Sequence, residues 1–144
     1  MPRAVVDTSV LFTASYRRDG AYEDALPILR GMDDQSLPEA VILDFVLAET
    51  LNGLTTYAGH DPSVDFLDRI EENDRFHIVS PAADTLPITK SLFRRHRGLS
   101  FVDACIVAYM QANDIEYLYA FDDDFDRIDD ITRLETATNP YDPR

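Results

Sequence analysis

Three apolar residues, Ala4 to Val6, run straight into Asp7, Thr8 and Ser9, and the chain turns apolar again at Val10. A short continuous apolar run is the pattern of a strand buried on both faces of a parallel sheet. The spacing predicts a first strand over 4–7 that ends on its aspartate. That is the carboxyl edge, where open α/β sheets place their ligand sites. The same polar residues also suit a helix start, since Asp, Thr and Ser are good N-caps. This stretch alone leaves both roles open.

The rest of the chain repeats the theme. Strands are predicted over 40–43 (AVIL), 76–79 (FHIV) and 117–121 (YLYAF), with a short last one over 132–136. Helical periodicity covers 21–32, 44–54, 63–72, 82–97 and 100–113. Pro27 should kink or end the first of these, Pro87 should interrupt or restart the fourth, and Gly98 should close it. Residues 33–38 and 57–62 read as breaks. Alternating strands and helices imply right-handed crossovers and a parallel sheet. The expected fold class is α/β, a three-layer α/β/α sandwich around a central parallel sheet of four to five strands. One domain over 1–136 is expected, followed by a short, loose tail over 137–144.

The chain's 144 residues are enough for a real core, and 45% of them are hydrophobic. No run approaches the ~18 apolar residues that cross a bilayer, and the start lacks a signal peptide's layout. The expectation is a soluble, cytoplasmic protein. The one cysteine, Cys105, lies in an apolar helical stretch and suits a core role in a reducing compartment. Twenty Asp and seven Glu face twelve Arg and one Lys, for a net charge of −14. Such a surface repels nucleic acid at low salt. It also resembles the acidic, Lys-poor surfaces of halophilic proteins, where salt screens much of that repulsion.

Four further acids stand out by context. Glu49 interrupts an otherwise apolar helix, LDFVLAETLNGL, although most helical glutamates are simply exposed. Asp103 follows Ser100 by three residues, which is also a capping-box pattern. Asp122 and Asp124 follow the fourth strand, where a turn or a solvated acidic run is the alternative. The D-x-D-x-D spacing fails as a calcium loop, because Arg127 and Arg133 stand where Gly and Glu are needed. Two carboxylates ~4 Å apart repel by about 4 kcal/mol at an effective dielectric near 20. A cluster at one sheet edge therefore calls for a cation or shared protons. Oxygen ligands without His or Cys favour Mg²⁺ or Mn²⁺, which suit phosphodiester hydrolysis.

Four segments, VVDTSVLF, LAETLNGL, LSFVDACIVAYM and YAFDDDFDRI, together make the chain resemble the PIN-domain family. Within it, the chain is similar to the small VapC-like toxin ribonucleases of type II toxin–antitoxin systems. The resemblance implies a Mg²⁺- or Mn²⁺-dependent endoribonuclease acting on RNA, often a homodimer restrained by a cognate antitoxin. Carried over by position, it makes Asp7, Glu49, Asp103 and Asp122 the catalytic acids. The metal ligands would be Asp7, Asp103 and Asp122, with Asp124 auxiliary and Thr8 and Ser9 in support. One departure is Ala120, where relatives commonly carry Thr or Ser two residues before the fourth acid.

KSLFRRHR, residues 90–97, offers Lys90, Arg94, Arg95 and Arg97 as an RNA-backbone grip, or simply as dipole-compensating cations at a helix end. Arg17 and Arg18 either join that patch or are solvated loop residues. His60 and His77 have no catalytic partner in the pattern. Two other readings compete with the nuclease. One is a catalytically silent PIN-like module that binds RNA or protein, which Ala120 favours. The other is an aspartyl phosphatase with Asp7 as nucleophile, which Ser9 disfavours because that chemistry wants a second acid there.

Overall fold

A computed structural model describes residues 2–142. Its elements, in order, are β1 (Arg3–Val6), α1 (Thr8–Ser15), α2 (Tyr22–Asp33), β2 (Glu39–Leu43), α3 (Asp44–Ala58) and α4 (His60–Glu72). There follow β3 (Phe76–Val79), α5 (Leu86–Arg95), α6 (Phe101–Ala112), β4 (Tyr117–Tyr119) and β5 (Thr132–Leu134). Short 3-10 turns lie at Ala83–Thr85 and Asp123–Arg127.

All five strands are parallel, in the order β3-β2-β1-β4-β5. The chain starts at the centre of the sheet, builds outward through β2 and β3, then returns to build the other half. Right-handed crossovers put α1 to α4 on one face and α5 with α6 on the other. The packing agrees: α1 meets α2 and α3, α3 meets α4, and α5 meets α6. Being covered on both sides explains the apolar runs. Ala4 to Val6 and all of β2 are buried, as are Leu118 and Tyr119 of β4.

Several boundaries differ from expectation, each for a local reason. Helix α1 is short and buried at Val10, Leu11, Thr13 and Ala14, so it carries no amphipathic signature in the sequence. Helix α2 runs on through Pro27. Glu23, whose carbonyl loses its partner there, is exposed like Pro27 and open to water. The expected break over 57–62 shrinks to Gly59, at φ 100°, a conformation that glycine adopts without strain. Pro62 then sits in the first turn of α4, where its missing N–H is no loss. Pro87, as one of its two expected roles has it, restarts the chain as α5 after the 3-10 turn at Ala83–Thr85. The strands β4 and β5 are shorter than predicted.

The tail expected to be loose is tied down as far as it is described. The hydroxyl of the fully buried Tyr119 donates to the Thr138 carbonyl at 2.6 Å, and that of Tyr141 donates to the Arg3 carbonyl at 3.0 Å. Tyr141 also packs edge-on against Tyr117, with ring centroids 5.1 Å apart. A buried phenol needs an acceptor, and burial raises the Tyr119 hydroxyl's pKa, so it donates at any ordinary pH. Removing residues 137–144 leaves that donor unpaired and should lower unfolding stability by about 1–3 kcal/mol, read from urea melts against the full chain.

Candidate functional site

The two halves of the sheet diverge between β1 and β4, which is the switch point where an open α/β sheet leaves a crevice at its carboxyl edge. Asp7 and Asp122 leave that edge. The Asp7 amide donates to the Tyr119 carbonyl at 3.0 Å, holding the exit of β1 against β4. Asp7 is both the N-cap of α1 and a buried acid, 5% exposed, so the two roles left open by the sequence coexist. Its Oδ2 accepts from the Ser9 amide at 3.2 Å and the Ser9 hydroxyl at 2.6 Å.

Ser9 does more than support Asp7. Its Oγ accepts from the Phe121 amide at 3.0 Å, so one hydroxyl joins the acid on β1 to the chain leaving β4. Ala120, the departure from the family pattern, is fully buried and supplies no side-chain bond. The Ser9 hydroxyl is the one that reaches this segment, one residue further on.

Asp103 enters from the other helical layer. It is the third residue of α6, and Ser100 and Asp103 form a reciprocal capping box. Asp103 is 9% exposed and its carboxyl is pushed up to about 6, first by burial and then by the negative charges of Asp7 and Asp122. Burial, reinforced by Asp122, also raises Asp7. These shared effects place Asp7, Asp103 and Asp122 in one electrostatic cluster. Among the described residues, no Arg, Lys or His ion pair reaches any of the three.

Two more acids border the cluster. Asp122 caps the 3-10 turn, its Oδ1 accepting from the Asp124 amide at 2.9 Å. The Asp122 carboxylate in turn raises the pKa of Asp124. Asp123, which nothing in the sequence sets apart from its acidic neighbours, brings an oxygen within 4.8 Å of Asp122 and Asp124. Glu49 is exposed on α3, and its Oε1 accepts from the Thr8 hydroxyl at 2.7 Å. Thr8 therefore ties Glu49 to the residue that follows Asp7.

The basic stretch adjoins these acids in part. Arg95, His96, Arg97, Gly98 and Leu99 line a cavity of about 280 Å³ together with Asp124 and Arg127. Arg127 had no signal in the sequence beyond its charge. Gly98 lets the backbone approach, since a Cβ there would lie 3.2 Å from Asp124 Oδ1. Lys90 and Arg94 are exposed on α5 and do not line this cavity. Arg17 and Arg18 are exposed after α1, and His60 is exposed at the start of α4. His77 pairs with Glu39 at 2.7 Å between β2 and β3. Cys105 is a buried free thiol on α6. No described helix is long and apolar enough to cross a membrane.

The donor set fits a hard divalent cation. Among the described residues, Asp122, Asp123 and Asp124 bring carboxylate oxygens within 4.8 Å of one another, Asp7 and Asp103 add buried acids in no ion pair nearby, and every one of these donors is oxygen.

Comparison with known proteins matches residues 4–131 to the PIN domain family model. The chain belongs to the PIN domain family. Among solved structures it is similar to the Mycobacterium tuberculosis toxin VapC20, described as cleaving the sarcin–ricin loop. That likeness has a TM-score of 0.76 at 24% identity and covers 95% of this chain and 99% of that one. VapBC2 from Rickettsia felis, bound to a fragment of its promoter DNA, aligns with a TM-score of 0.68 at 16% identity, over 92% and 97% of the two chains. A toxin–antitoxin complex from Klebsiella pneumoniae aligns at 0.62 and 20%, over 94% and 98%. No curated protein matches by sequence. The PIN-like three-layer α/β/α fold predicted from the sequence is the one observed.

The raised pKa of Asp103 makes the cluster's response to pH testable. A carboxyl raised on folding favours the folded state while protonated. That contribution is complete below its ordinary 3.8 and is lost as pH rises through about 6. Above pH 6 the ionised cluster is a load that a bound divalent cation would relieve. Melting scans should therefore show a larger rise in Tm with Mn²⁺ at pH 7.5 than at pH 5. Asp103→Asn, which keeps a capping oxygen, should raise the metal-free stability at pH 7.5 by on the order of 1 kcal/mol and shrink the Mn²⁺ effect.

Proposed function

We propose that this PIN domain is a metal-dependent endoribonuclease and the toxin of a toxin–antitoxin pair. What supports the reading is that Asp7 and Asp122 leave the adjoining strands β1 and β4, that Asp103 lies near enough for its carboxyl to feel both charges, and that Glu49 is bonded to Thr8, the residue after Asp7. Family membership and the likeness to VapC toxins support it. The antitoxin partner, the RNA substrate, a homodimer and a cytoplasmic setting are all part of this proposal.

Asp7, Asp103 and Asp122 would hold Mg²⁺ or Mn²⁺, with Asp124 as an outer ligand. The bound cation would activate water and offset charge on the phosphoryl oxygens. The protein's own groups supply geometry. Ser9 fixes Asp7 through one oxygen and ties it to Phe121. Glu49 gives Oε1 to Thr8, which leaves Oε2 to accept a proton from the attacking water. Arg95, Arg97 and Arg127 bind backbone phosphate beside Asp124, while Lys90 and Arg94 contribute attraction at longer range. No step needs a covalent intermediate.

The deciding assay is cleavage of structured RNAs by the purified, antitoxin-free protein, with Mg²⁺ or Mn²⁺, from low to molar salt. Asp103→Asn should abolish metal-dependent cleavage, and cleavage that survives would point to a different site. Glu49→Gln should lower kcat by about 100-fold and leave Mn²⁺ affinity, read by calorimetry, nearly unchanged. Ser9→Ala should lower kcat by about 10- to 100-fold through misplacement of Asp7, with Ser9→Thr restoring much of it.

A further inference from the structure

Helices α1 and α3 both leave the carboxyl edge of the sheet and run in the same direction, in register. Thr8 meets Glu49, Phe12 packs on Gly53 and Tyr16 packs on Tyr57, each step being four residues on both helices. Gly53 permits the approach, since a Cβ there would lie 2.9 Å from the Phe12 ring. The seam starts at the acid Glu49 and ends in a triangle of rings. Phe12, Tyr16 and Tyr57 have centroids 5.9 to 6.0 Å apart, and Tyr16 and Tyr57 are tilted by only 32°.

The nuclease chemistry does not use this triangle, and a core would not build it this way. Tyr57 is 66% exposed, the most open of the large hydrophobic side chains among the described residues. Arg17 and Arg18 follow Tyr16 directly, both exposed and neither in an ion pair with a described acid. A cluster of tilted rings ending in an exposed tyrosine, with two exposed guanidinium groups next in the chain, offers the chemistry that receives an unstacked base and its phosphate. Helix geometry sets the ring triangle roughly 12 Å from Thr8 along α1, a span of about two nucleotides of extended single strand.

We propose that Tyr57, backed by Tyr16 and Phe12, is a base-stacking platform for unpaired RNA next to the cleaved bond, with Arg17 and Arg18 on the adjoining phosphates. The inference rests on the ribonuclease reading and gives it a substrate class: RNA with unpaired nucleotides flanking the cut. Continuity with Glu49 along one helix seam, together with two unpaired cations in an otherwise acidic chain, favours RNA over a protein partner here.

The chain has no tryptophan, so Tyr57→Trp introduces a single reporter at the platform. In metal-free buffer, a short single-stranded RNA should quench its emission, and an abasic strand of equal length and charge should not. Tyr57→Ala should weaken binding of the RNA by about tenfold, and Tyr57→Phe should leave it near wild type. With metal restored, Tyr57→Ala should raise KM far more than it lowers kcat.

Equal quenching by the abasic strand, or unchanged binding by Tyr57→Ala, would overturn the platform. So would a Tyr57→Ala defect confined to oligomeric mass or antitoxin capture, which would make the triangle a protein contact. The two readings fail separately. RNA quenching without any metal-dependent cleavage would sink the nuclease and keep the platform. Cleavage that ignores Tyr57 would do the reverse.

Discussion

Buried negative charge meeting helix N-termini is the interaction on which this molecule turns. Asp7 caps α1, Asp103 completes the box that caps α6, and Asp122 caps the 3-10 turn after β4. Each carboxylate accepts backbone N–H groups that would otherwise be orphaned at a helix start. Each also lies at the positive end of its segment, where a negative charge is favoured. Three mutually repelling acids can therefore share one crevice without a nearby base. Burial, with a smaller share from the neighbouring acids, still raises the pKa of Asp103 and Asp7.

The sheet order makes that meeting possible. By starting in the middle and building outward twice, the chain brings the ends of β1 and β4 side by side and sends their helices to opposite faces. One hydroxyl, on Ser9, bridges the gap between them. Charge is sorted around this point. Arg133 on β5 binds Asp126 through two nitrogens, reaches Glu135 and donates to the Ala120 carbonyl, tying one part of the acidic run into the framework. Asp122 to Asp124 are left without such an ion pair, and Asp124 lines a cavity walled by arginines.

Much of this was legible in the sequence. Doubly covered strands have an unmistakable apolar pattern, so β1, β2 and β4 could be read directly, and the half-covered edge strand β3 from its short apolar run, as could the acids at strand ends. Helix α1 was not, because a short helix buried around much of its surface has no periodicity to detect. The tail was misjudged because its anchors are hydroxyl contacts to distant backbone, Tyr119 to Thr138 and Tyr141 to Arg3. Gly98 beside Asp124 and the Phe12–Tyr16–Tyr57 triangle were out of reach for the same reason. Their partners lie far apart in the chain, and no local pattern records the pairing.

The capping roles change what the presence of each acid would tell an evolutionary biologist. A descendant that abandoned catalysis would still need a short polar acceptor where Asp7, Asp103 and Asp122 cap their helices, so folding alone would tend to preserve them. Glu49 has no such duty. It caps nothing, lies exposed, and touches the framework only through Thr8. Drift would erase it first once selection for activity lapsed. If the proposed chemistry holds, a glutamate on the open face of α3 is a better witness to it than the three aspartates together.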